Sequence, residues 1–66
     1  MPTVKVKGMN CQHCVASVTK ALSEIEGISN VLVNLEKGEA TYNENSQVPA
    51  QTIKDAIARI GFEVVD

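Results

Sequence analysis

Tryptophan is absent from this sequence, and Tyr42 and Phe62 are its only aromatic residues. That scarcity excludes a base-stacking platform for nucleic acid. Charge of one sign is also missing. Six Lys and Arg against eight Asp and Glu leave a net charge of −2, with the signs interspersed rather than clustered. Nucleic acid is therefore not an expected partner. No apolar run extends beyond a few residues, far short of the ~20 that span a bilayer, so no membrane segment is expected. The start, Met1-Pro2-Thr3-Val4-Lys5, has no apolar stretch of the signal-peptide kind. It reads as the start of an independent cytoplasmic chain. Cysteine is scarce as well, and two residues cannot build the disulfide framework of a small secreted domain. One pair also supplies too few ligands for a closed tetrahedral zinc site or a four-cysteine iron–sulfur cluster.

What is present is enough for one folded domain over residues 1–66, with 44% hydrophobic and 21% charged residues. A chain this short buries only about 60% of its unfolded surface, so a thin core is expected. Val4 and Val6 alternate with Lys5 and Lys7, the period of a strand with one wet face, here expected at the outside of a sheet. Gly8 breaks the pattern. Val15, Val18, Leu22 and Ile25 then recur at helical spacing, with Asn10 placed as N-cap and Gly27 as the left-handed residue after the helix. Ile28 to Leu35 reads as a strand with Val31, Val33 and Leu35 on one face. Lys37-Gly38 turns the chain, and Glu39 to Asn43 returns with Ala40 and Tyr42 inward. Pro49 fits the first turn of a second helix, poorly capped by Val48, with the stripe Ile53, Ala56, Ile57 and Ile60 and its end at Gly61. Phe62 to Val65 is a short last strand. The order β-α-β-β-α-β suits an α+β fold, a four-stranded antiparallel sheet with both helices on one face.

Both cysteines lie in Gly8-Met9-Asn10-Cys11-Gln12-His13-Cys14, between the first strand and the first helix. With Cys14 in the first helical turn and Cys11 just before it, both sulfurs reach one ion. The free N–H groups and positive dipole end of the helix favour thiolate over thiol. Thiols so placed titrate at roughly 3.5–7.5, against ~8.5 when free. Two soft thiolates suit Cu(I), which tolerates low coordination. Zinc would have to recruit His13, a carboxylate or a second chain. His13, between the two cysteines, is expected to face solvent or a partner. Met9 is expected to pack as a core or loop anchor, and Phe62 to pack and shield the loop. A thiol–disulfide module is the rival from another functional class, because Cys-x-x-Cys at a helix start also serves redox chemistry.

The stretch Gly8-Met9-Asn10-Cys11-Gln12-His13-Cys14 after a first strand resembles the Gly-Met-x-Cys-x-x-Cys signature of heavy-metal-associated domains. The resemblance continues through Glu26-Gly27-Ile28, Val31-Leu32-Val33-Asn34-Leu35, Lys37-Gly38-Glu39-Ala40, Ala56-Ile57 and Gly61-Phe62. It implies the ferredoxin-like βαββαβ sandwich and, in the Cys-Gln-His-Cys form, a small bacterial copper chaperone. Such a protein is a Cu(I) carrier, not an enzyme. Cys11 and Cys14 would hold the metal, with Cys11 the more exposed, while Met9 would anchor the loop without binding and Phe62 would lie near it. His13 is expected beside the site, with ligation by it left open for a dimer or for other metals. The implied partners are the related metal-binding domain of a copper-transporting P-type ATPase or a copper-responsive regulator. The chain would be a monomer when metal-free and could form a copper-bridged dimer. Two positions depart from the pattern. Phe62 stands where bacterial chaperones commonly have a tyrosine, and Asn10 where Ser or Thr is usual. An excised domain of a copper ATPase and a relative that binds Hg, Zn or Cd are the alternatives within the family.

Overall fold

Val4 and Val6 turn into a shared apolar layer while Thr3, Lys5 and Lys7 stay in water, and this alternation makes β1 (Thr3–Lys7). The computed structural model describes residues 2–65. Met1 and Asp66, the expected ends of the domain, lie outside the described residues, and so does the reading of Met1 as a chain start. The elements that follow are α1 (Gln12–Ser23), β2 (Ile28–Asn34), β3 (Glu39–Glu44), α2 (Ala50–Arg59) and β4 (Glu63–Val65), the order expected from the sequence. The strands form one antiparallel sheet in the order β2-β3-β1-β4. β1 is thus an inner strand, not the outer one expected from Lys5 and Lys7. Those lysines are exposed because one whole face of the sheet is uncovered.

The other face carries the helices. Val6, Ile28, Ala40 and Tyr42 of the sheet meet Val18 and Leu22 of α1 and Ile53 and Ile57 of α2 in one buried cluster. Leu22, Val18 and Ile57 are the largest side chains buried completely. Each such burial contributes about 1.5–3 kcal/mol. No charged residue is buried among the described residues; Tyr42 alone in the buried cluster carries a polar group, and burial pushes its phenol above the ordinary range.

Several local boundaries differ from the expected ones. The N-cap of α1 is Cys11, in extended conformation at φ −158° and ψ 171°, and not Asn10. The helix ends at Ser23, so Ile25 sits in the turn that follows, half-buried, with its N–H on the Leu22 carbonyl at 3.1 Å. β2 stops at Asn34, and Leu35 belongs to the turn with Lys37 and Gly38, where the Asn34 side chain accepts the Lys37 N–H at 3.0 Å. Pro49 is the N-cap of α2 and not its first residue, and no side chain caps that helix, consistent with the weak cap expected there.

β2 also holds a bulge that simple alternation did not show. Ser29 pairs with Asn43 and Leu32 with Thr41, so Asn30 and Val31 together stand opposite Tyr42. Asn30 takes the left-handed conformation, φ 52°, that accommodates the extra residue. The one-residue shift lets Ile28 share the buried face with Val31 and Val33, although its parity in the chain would send it outward.

Candidate metal centre

The cysteine loop is held at both ends. On one side β1 ends at Lys7, and Gly8 takes φ +108°, a conformation that reverses the chain out of the sheet and that L side chains rarely adopt. On the other side α1 is fixed by Val18 and Leu22 in the core. Its first turn closes onto the loop, the Cys11 carbonyl accepting the N–H groups of Cys14 at 3.1 Å and Val15 at 3.3 Å. Met9, half-buried, packs against the core and pins the middle of the loop, as expected.

Phe62 reaches the loop from the far end of the chain. α2 ends in a Schellman turn: Gly61, at φ +90°, donates to the Ala58 carbonyl at 3.1 Å, and Phe62 donates to that of Ile57 at 3.2 Å. β4 then pairs with β1, Glu63 opposite Lys7. This register sets Phe62 beside Gly8, so close that a Cβ added to the glycine would lie 3.0 Å from the ring. Phe62 precedes β4 rather than starting it, and it both packs on the core and backs the loop.

Within this frame the two thiols stand together. The sulfurs of Cys11 and Cys14 are 3.3 Å apart, within hydrogen-bond reach, and both cysteines are free. Cys11 is exposed and Cys14 half-buried. No acidic residue lies in the first turn of α1 to oppose negative charge on sulfur. A hydrogen bond from the Asn10 backbone, and after it one from the Cys11 side chain, holds the Cys14 thiol below its ordinary range. Partial burial works in the opposite direction. The lowered proton affinity was expected, but its first cause lies in the loop ahead of the helix.

His13 is exposed on the outer side of the first turn, and no third His, Cys, Asp or Glu gathers with the cysteines among the described residues. The arrangement thus offers one ion two sulfurs and an open side. That suits a soft monovalent metal and falls short of the four ligands of structural zinc. The sequence reading missed Asn10. Its carboxamide oxygen accepts the Cys14 S–H at 3.5 Å instead of capping the helix. The signal was its place four residues ahead of a cysteine in a first turn, but the same place fits a cap equally well. Thr19, half-buried on α1, turns back on the helix and donates to the Val15 carbonyl at 2.8 Å.

The heavy-metal-associated domain model matches residues 3–63. The copper chaperone CopZ of Bacillus subtilis (strain 168) is 41% identical over 63 residues, 94% of this chain and 91% of the relative. A solved CopZ metallochaperone superposes with a TM-score of 0.88 at 38% identity, covering 97% of each chain. The solved N-terminal domain of a potential copper-translocating P-type ATPase from Bacillus subtilis, in the Cu(I)-loaded state, aligns with a TM-score of 0.83. It is 27% identical and covers 94% of this chain and 79% of its own.

Proposed function

Because the chain belongs to the heavy-metal-associated domain family, we propose that it is a copper chaperone that carries Cu(I) on Cys11 and Cys14 and hands it on by exchange of sulfur ligands. The observation that carries this reading is the pair of free thiols 3.3 Å apart with no third ligating residue gathered beside them among the described residues. Copper is the cargo, so the protein needs an affinity that can be broken as well as made. An open two-sulfur site supplies this. The thiolate of an acceptor adds to the ion, giving three sulfurs, and one of the chain's own cysteines then leaves and takes up a proton. The ion keeps its charge and no electron moves. Cys11, exposed and outside the helix, is the first to leave, while Cys14 stays anchored on the first turn. The protein acts as a carrier, without catalytic turnover.

The acceptor is a related domain that presents its own cysteine pair, on a copper-transporting P-type ATPase or a copper-responsive regulator. The likeness to the Cu(I)-loaded ATPase domain supports the first of these. Two thiols kept as ligands require a reducing compartment, which supports the cytoplasm. No helix among the described residues is long and apolar enough to cross a membrane. The chain is a monomer when metal-free, and the open side of the site leaves room for a second chain's sulfurs in a copper-bridged dimer.

An anaerobic competition titration tests the reading. Reduced protein is set against Cu(I) held by a coloured chelator, with Zn(II) in parallel and with Cys11→Ser and Cys14→Ser as controls. The expected result is one Cu(I) withdrawn per chain, weak zinc binding, and loss of tight copper binding in each variant with the fold retained. Tight one-to-one binding in either single variant would overturn the two-thiolate site. Zinc binding comparable to copper would overturn the choice of metal.

A further inference from the structure

The Asn10 side chain faces the Cys14 sulfur, accepting its S–H through Oδ1 at 3.5 Å, and makes no other hydrogen bond among the described residues. Asn10 is exposed, so its carboxamide is not wedged in place. A carboxamide carries an acceptor and a two-proton donor on one planar group, and the torsion between them is soft. The present contact fits only a protonated sulfur. A metal ion takes the place of that proton, and sulfur then presents lone pairs to an oxygen that also presents lone pairs. A half-turn of the carboxamide removes the conflict by bringing the Nδ2 protons onto sulfur.

We propose that Asn10 is a positioning residue with two settings, its oxygen holding the Cys14 thiol in the empty protein and its N–H group holding the Cys14 sulfur once copper is bound. In both settings the side chain restrains the same sulfur, so Cys14 stays aligned with Cys11 before and after loading. A hydroxyl could also serve both settings but is shorter, whereas a carboxylate can serve only the first. The inference rests on the reading of Cys11 and Cys14 as the copper ligands.

The test joins two measurements. Anaerobic Cu(I) competition is run on the unaltered protein, on Asn10→Ala, Asn10→Asp and Asn10→Ser, and on Cys14→Ser. Nitrogen-15 NMR follows the Asn10 side-chain amide of the unaltered protein before and after one equivalent of Cu(I). Asn10→Ala should weaken copper binding about tenfold, the low end for loss of a group that orients a metal ligand. Asn10→Asp should weaken it at least as much, and Asn10→Ser less than either. The two Nδ2 proton signals should shift and separate on loading. If Asn10→Asp binds as tightly as the unaltered protein, an acceptor suffices and the two-setting role is overturned. Amide signals that stay in place on loading overturn it too, and that readout needs no substitution, so it survives any variant that fails to fold. Failure of the unaltered protein to take Cu(I) overturns the copper site and the Asn10 role together. Full binding by the unaltered protein and all three Asn10 variants keeps the site and overturns only the role of Asn10.

Discussion

Cys14 owes its chemistry to its neighbours along the chain. The Asn10 backbone and the Cys11 side chain both donate toward its sulfur, and each favours the thiolate. The folded protein therefore binds fewer protons at Cys14 than the unfolded chain does as pH rises toward the ordinary thiol range. Stability of the metal-free, reduced protein should rise with pH across that window, and the gain should fade as pH falls through the lowered value. Alkylation mapped residue by residue checks the premise. Cys14 should react at a lower pH than an ordinary thiol, and in Cys11→Ala its midpoint should move upward because one of the two main donors is gone. A midpoint unmoved by Cys11→Ala would mean that the sulfurs do not share a proton. With copper held on the two proposed sulfurs, the same proton competition should make copper affinity fall as the solution is acidified.

Between elements, the contact of greatest consequence is that of Gly8 with Phe62. β1 needs a residue at φ +108° to leave the sheet, and the Phe62 ring leaves little room for a Cβ there. Gly8→Ala should therefore cost about 1–3 kcal/mol through the backbone alone, with ring displacement added to it. A double-mutant cycle with Phe62→Ala, read by urea unfolding, separates the two causes. The ring part should vanish in the double variant, and the backbone part should persist. Strict additivity would show that the ring does not confine the loop.

The whole molecule has a Cα radius of gyration of 10.4 Å, against about 10.8 Å for a compact domain of this length. Compaction is thus complete even though one sheet face stays bare. A chain of this size has roughly 0.05–0.15 kcal/mol of stability per residue, a total of about 3–10 kcal/mol. Leu22 is buried completely beneath α1. Leu22→Ala should remove about 2–5 kcal/mol, enough to leave the metal-free protein partly unfolded. Denaturation with and without Cu(I) checks this. Copper that binds only the folded form should restore much of the loss by mass action, whereas equal losses in both conditions would detach the site from the core.

The six elements, the inward places of Val6, Ala40, Tyr42, Ile53 and Ile57, and the cysteine pair at a strand-to-helix junction were all legible in the chain. Each depends on periodicity or on a Gly within a few residues, and such local preferences are written residue by residue. The placing of Phe62 against the loop was expected, though not its partner Gly8. Three features were not legible. β1 lies inside the sheet, Ile28 is buried through the bulge at Asn30, and the Asn10 carboxamide serves Cys14 instead of capping α1. The first two arise from strand pairings between distant parts of the chain. The third arises from a loop whose path is set by both of its anchored ends. Sequence alone determined which residues could hold a metal and where they fall in the order of elements. Only the tertiary structure decided what surrounds them, because a register between strands has no counterpart in local propensity.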